Sequence, residues 1–243
     1  MPVAYDNVSE SHTLITGSIS EASFQWTHTP IGIPKGILVF VFNSSDDADI
    51  ITGVTYGGVS MVAVSGGLAA DTANEQGNCK AYFLGKNIPS GAQQVVVTRT
   101  NNLNEVYAVS ISVTASVNIT EVTGVTLQQN NQAPAQASID DGTLYSNSQR
   151  FAGAFYGGSG LPGAGANSTA IADIDFGLRT IQVVRETTPG QGSRLVGFTN
   201  ATSDDWACVL LAVREAVPTL KFNNYLFPSS VSAGVISIGE KIR

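Results

Sequence analysis

The chain has 243 residues, with twelve Lys and Arg against nineteen Asp and Glu, a net charge of −7, and 13% charged and 43% hydrophobic residues. That is about half the charge of an ordinary globular protein, roughly 25%, and it excludes both a chain kept disordered by its charge and a binder that neutralises nucleic-acid phosphates. The longest apolar runs, 36–42 and 207–213, are far short of the roughly 20 residues a membrane-spanning helix needs.

The first residues show neither a basic nor an apolar signal region, so no secretory signal is expected. Phe24, Trp26 and His28 alternate with Ser23, Gln25 and Thr27, which predicts a half-buried strand. The run 37–42 is apolar throughout and predicts a strand covered on both faces. Residues 54–56 and 59–64, separated by Gly57-Gly58, predict a hairpin on a two-glycine turn. A stretch at 68–76, bounded by glycines, is the one place where a short helix is expected. Strands follow at 81–84, 95–98 and 107–113, with Tyr107, Val109, Ile111 and Val113 on the inner face. Further strands are expected at 119–127, 135–139, 151–156, 169–176, 180–184, 194–199 and 206–214. The Gly- and Pro-rich stretch 157–165 reads as a loop. The second half repeats the style of the first without an exact repeat. So many short strands with turn signals between them predict an all-β fold, taken as a two-sheet antiparallel jelly-roll sandwich over residues 1–217.

Residues 218–243 differ. They hold two prolines and two apolar patches, Leu220, Phe222, Tyr225, Leu226 and Phe227, then Val235, Ile236 and Ile238. Left free, these side chains would be prone to aggregate. They are expected to form an extended C-terminal tail that acts as an inter-subunit arm.

No catalytic or cofactor pattern is present, and no enzyme is expected. His28 follows the inner-face pattern of its strand and reads as structural, and His12 reads as solvated. Asp173 and Asp175 share a strand face, yet no Glu lies near to make the carboxylate pair of a glycosidase. Asp46, Asp47 and Asp49 form an acidic loop that could offer oxygens to Ca²⁺; turn chemistry explains it as well, so no metal is required. Asp140-Asp141-Gly142 and Asp204-Asp205 read as turns. Cys79 and Cys208 lie in apolar runs and read as buried free thiols. Sugar stacking could use Tyr56, Tyr82, Tyr107, Tyr145 or Tyr156, with Asn101 and Asn102 at a loop tip, so a glycan ligand stays open.

The order Phe24–Pro30, Gly36–Val41, Val54–Met61, Ala81–Leu84, Ile88–Val97 and Trp206–Val213 resembles jelly-roll modules of bacteriophage virion proteins, broadly similar to concanavalin-like sandwiches. The resemblance implies a structural virion protein. The expected role is a capsid cement or decoration protein on the outer capsid surface, with a tail-fibre or lectin-like receptor-binding module as the alternative. It implies a homo-oligomer that meets the major capsid protein or other virion subunits in a particle assembled in the host cytoplasm, with no nucleic-acid or membrane partner. It carries no site residue.

Overall fold

A computed structural model describes residues 3–11, 22–44, 49–70, 77–100, 105–132, 137–139, 148–157, 163–175, 180–189, 194–199 and 204–215. Among them every regular element is a β-strand and every pairing is antiparallel. The chain is an all-β antiparallel sandwich. The predicted tail, with Leu220, Phe222, Tyr225, Leu226, Phe227, Val235, Ile236 and Ile238, lies outside the described residues.

The N-terminal half contributes β1 (Ala4–Glu10), β2 (Ser23–His28), β3 (Gly36–Asn43), β4 (Ile51–Tyr56), β5 (Val59–Ser60), β6 (Val62–Ala70), β7 (Asn78–Leu84), β8 (Gln93–Arg99) and β9 (Val106–Thr114). Five of them form an inner sheet in the order β1-β9-β3-β7-β6, and four an outer sheet in the order β2-β8-β4-β5. The apolar run of β3 is buried at every position. Its two faces meet different partners. Ile37, Val39 and Val41 pack under the outer sheet against Trp26, Val95 and Val97. Leu38, Phe40 and Phe42 turn the other way.

What they meet is the C-terminal half: β10 (Ile119–Gln132), β11 (Ala137–Ile139), β12 (Gln149–Tyr156), β13 (Gly163–Ala164), β14 (Ser168–Asp175), β15 (Thr180–Glu186), β16 (Arg194–Val196), β17 (Phe198–Thr199) and β18 (Asp204–Glu215). Its main sheet runs β10-β18-β12-β15-β14. Phe151, Phe155, Val209 and Leu211 supply its side of the shared core. The approach is close: a Cβ on Gly153 would sit 2.6 Å from the Phe40 ring. The far face, with Ala152, Ala154, Tyr156 and Cys208, is covered by Val196 and Phe198. The sandwich is therefore deeper than two sheets.

The two halves repeat one topology. Numbering the main-sheet strands of each half by their order along the chain, both sheets read first, fifth, second, fourth, third. The covering strands repeat too, with β2-β8-β4 on one side and β11-β16 with β17-β13 on the other. Face parity agrees. Val109, Ile111 and Val113 of β9 and Val209, Leu211 and Val213 of β18 all enter the shared core. Pairing registers extend the match: Leu38 pairs with Ile111 and Phe83, and Phe151 pairs with Leu211 and Arg185. The halves thus face each other as related five-stranded sheets, a repeat that style alone had only hinted at.

Local expectations divide. Gly57 and Gly58 have φ of +54° and +79°, as the tight hairpin turn demands. The strand expected at 59–64 breaks at Met61: β5 stays on the outer sheet and β6 crosses to the inner one. Leu68–Ala70 is strand, not helix, because Leu68 and Ala69 pair with Lys80 and Cys79; residues 71–76 lie outside the described set. Asp204 and Asp205 open β18 instead of forming a turn.

Candidate functional site

Three polar clusters among the described residues bear on the candidate sites. The first lies between the inner and outer sheets. Trp26 Nε1 donates to Ser110 Oγ at 2.9 Å, and Ser110 Oγ donates to the Ser9 carbonyl at 3.0 Å. His28 Nδ1 lies 3.0 Å from Ser9 Oγ, with Asp6 close enough to act on the ring's charge. Serine, histidine and aspartate together suggest nucleophilic catalysis, but their roles do not match. Asp6 spends its carboxylate on Ile31 N, Gly32 N and Ser112 Oγ, at 3.1, 2.9 and 2.7 Å. His28 is fully buried, as its strand alternation predicts.

Burial lowers the His28 pKa from 6.5 to about 4, partly offset by Asp6. A depressed histidine stabilises the fold fully above its unfolded pKa, and that contribution is lost as pH falls from 6.5 towards 4. The size is about 3 kcal/mol, from roughly 1.4 kcal/mol per pH unit. His28→Phe, which cannot titrate, should flatten the urea-unfolding midpoint between pH 7 and pH 4 by that amount relative to the native chain. Parallel pH profiles for the two proteins would refute it.

The second group is a buried ion pair. Arg150 Nη1 lies 2.9 and 3.0 Å from the two Glu186 oxygens, and both side chains are fully buried. Gln149 Nε2 donates to the Glu186 carbonyl at 2.8 Å. Burial raises the Glu186 pKa, and Arg150 opposes the shift. No sequence signal singles out this pair, since each member sits among ordinary strand residues.

The third is Asp49. Its carboxylate is ion-paired with Lys80 Nζ and accepts from Ile51 N at 3.3 Å. Lys80 in turn lies over the Tyr82 ring, 5.3 Å from its centroid. Asp49 is therefore engaged as a turn and ion-pair residue, while Asp46 and Asp47 lie outside the described residues. Excess EDTA is expected to leave the melting temperature unchanged. A fall of more than about 5 °C, the scale of ~1 kcal/mol, would require a structural ion.

The remaining sequence candidates separate. Tyr56, Tyr82, Tyr107 and Tyr156 are buried, so these four cannot offer ring faces to a sugar; Tyr145, Asn101, Asn102, His12 and residues 140–142 lie outside the described residues. Asp173 and Asp175 are exposed on the edge strand β14, and Asp173 accepts from Gln182 Nε2. Charges there guard a sheet edge against pairing. Cys79 and Cys208 are free and buried.

Sequence reasoning missed the apolar features of the surface. Ile31 and Ile33 are each 79% exposed. Their loop is held by the Asp6 carboxylate and by Asn7 Nδ2, which donates to the Thr29 carbonyl at 2.8 Å. The flanking Pro30 and Pro34 restrict φ further. Elsewhere a cavity of about 480 Å³ opens where the edge strands β6 and β10 diverge, lined by Val62, Val64, Phe83, Ile119 and Val122, with Lys86 also on its wall. The two edges meet further along, where a Cβ on Gly66 would lie 2.9 Å from the Gly124 carbonyl. Single exposed aliphatics are invisible in a strand pattern, because only the tertiary fold decides which side of a loop is left uncovered.

No protein-family model, curated protein or solved structure matches the chain.

Proposed function

We propose that this chain is a structural virion protein, a capsid cement or decoration protein seated on the outer surface of a shell. The observation that carries the reading is the Ile31–Ile33 loop. Two isoleucines stand in solvent on a backbone fixed by an aspartate and flanked by prolines. A fixed apolar projection loses little freedom on docking, and two neighbouring exposed isoleucines give a partner apolar surface to bury. The partner is the major capsid protein or another virion subunit, alongside further copies of this chain. The low charge and net acidity suit the outside of a particle rather than a nucleic-acid-filled interior. The tail adds a second means of attachment, with Val235, Ile236 and Ile238 suited to pairing with a neighbour's sheet edge. A lectin-like tail-fibre module is less well supported, because four of its aromatic candidates are in the core.

The test begins with the reading frames on either side of this one, which should encode capsid or other virion proteins. The purified chain should co-sediment with shells of the neighbouring capsid protein, and Ile31→Asp with Ile33→Asp should abolish this while leaving the melting curve unchanged. Unrelated neighbours, or co-sedimentation that survives the double substitution, would overturn the assignment of this loop.

A further inference from the structure

We propose that the cavity between β6 and β10 is the seat of this chain's own segment 220–227, which anchors the base of the tail. The first reason is asymmetry between the two halves. By strand register, Phe83 and Val122 in this cavity correspond to Arg185 and Tyr5 at the matching corner between β14 and β1. There Arg185 lies over the Tyr5 ring, 5.2 Å from its centroid. One corner is thus filled by its own side chains. The other is lined by shorter apolar groups and stays open, with Val62 71% exposed at its mouth.

The second reason is where the described chain ends. Glu215 pairs with Ile119, and Ile119 lines the cavity. Glu215 Oε1 also accepts from Ser116 N and Ser116 Oγ, at 2.9 and 2.8 Å, which fixes the departure point. Val117, next in the chain, is 42% exposed. The described chain therefore ends at the rim of this apolar cavity. Leu220 follows Glu215 by five residues, a reach of about 17 Å at roughly 3.4 Å per residue. Leu220, Phe222, Leu226 and Phe227 are large apolar groups that match the cavity's apolar lining.

The third reason is concentration. A segment tethered this close meets the cavity at an effective concentration in the millimolar range, above that of a second copy's tail. The segment also offers backbone groups to the free edges of β6 and β10, as in strand addition. The distal patch, Val235, Ile236 and Ile238, is left for a neighbour. Only that last point rests on the virion reading; docking of the proximal segment does not.

The experiment uses the full chain with the photo-crosslinker p-benzoylphenylalanine in place of Val62. Irradiation should join position 62 to a residue within 220–227. In a mixture of isotopically heavy and light chains, the joined peptides should be heavy–heavy or light–light only. Mixed pairs, joining to another segment, or no joining would overturn the proposal. An independent readout is trypsin cleavage after Lys221, expected at least tenfold slower than after Lys241 in the native chain and accelerated by Val62→Glu. Equal cleavage rates at the two lysines would also overturn it. Neither readout involves a capsid shell, so failure to bind shells leaves this proposal intact, and failure here leaves the Ile31–Ile33 loop to be judged separately.

Discussion

Glu186→Ala is expected to destabilise the fold by about 3–5 kcal/mol, the cost of breaking a buried ion pair by removing one member. Arg150 is fully buried and holds both Glu186 oxygens within 3.0 Å. Removing the carboxylate takes away two charge-assisted contacts from a fully buried guanidinium. The molecule contains its own control. Arg150 pairs with Ala212 and occupies the register position of Ile37, which pairs with Ser112. Glu186 correspondingly stands where Leu84 stands, and Ile37 and Leu84 pack together as an apolar pair. Arg150→Ile combined with Glu186→Leu should therefore recover the stability lost in the single variant, to within about 1–2 kcal/mol of the native chain, since apolar replacement of a buried ion pair is often neutral or stabilising. Urea-unfolding midpoints of the three variants measure this. A single variant that unfolds at the native midpoint would sink the argument, and a double variant no better than the single would show that the two halves do not share this register.

Trp26→Ala should cost a similar amount, about 3–5 kcal/mol. Trp26 is stacked on Phe24, with ring centroids 5.9 Å apart and planes 18° from parallel. It fills the space between the outer sheet and Val39, and its indole N–H ends in the Ser110–Ser9 network. Alanine removes the ring and leaves Ser110 without its donor. Trp26→Phe separates the two losses: it keeps most of the apolar area and gives up the hydrogen bond, so it should cost only about 1–2 kcal/mol. An alanine variant that melts with the native protein would mean that Trp26 lies at a surface.

The two predictions rest on residues of unequal legibility. Trp26 and Phe40 are readable as core from alternation and from an unbroken apolar run, because burial of one strand face or of both writes itself into the period of the sequence. The run 37–42 also implies a third layer. A strand covered on both faces needs a sheet on each side, and the inner sheet does lie between two others. Arg150 and Glu186 are legible in no such way. Their positions in β12 and β15 call for apolar residues, and only the pairing of those strands across the sheet lets the two opposite charges satisfy each other.

The candidate site follows the same division. The acidic loop, the aspartates of β14 and the tyrosines stand out in the sequence by type. Yet Asp49 is engaged with Lys80, Asp173 with Gln182, and four of the tyrosines are enclosed. The Ile31–Ile33 loop and the cavity between β6 and β10 carry no motif. They arise where one strand pair happens to diverge and one loop happens to face outward.

The sequence by itself determined that this protein is all-β, that β3 is covered on both faces, that Gly57 and Gly58 turn the chain sharply, and that residues 218–243 are unlike what precedes them. Each of these is local: a period of two, a φ that only glycine adopts readily, a change in composition. Only the tertiary structure decided that Met61 marks a change of sheet, that two five-stranded sheets of one topology face each other, and that the described strands leave an opening beside Ile119. These depend on which strands pair and which faces meet, contacts between residues far apart in the chain, and a pattern read along one strand at a time contains no information about the partner lying across it.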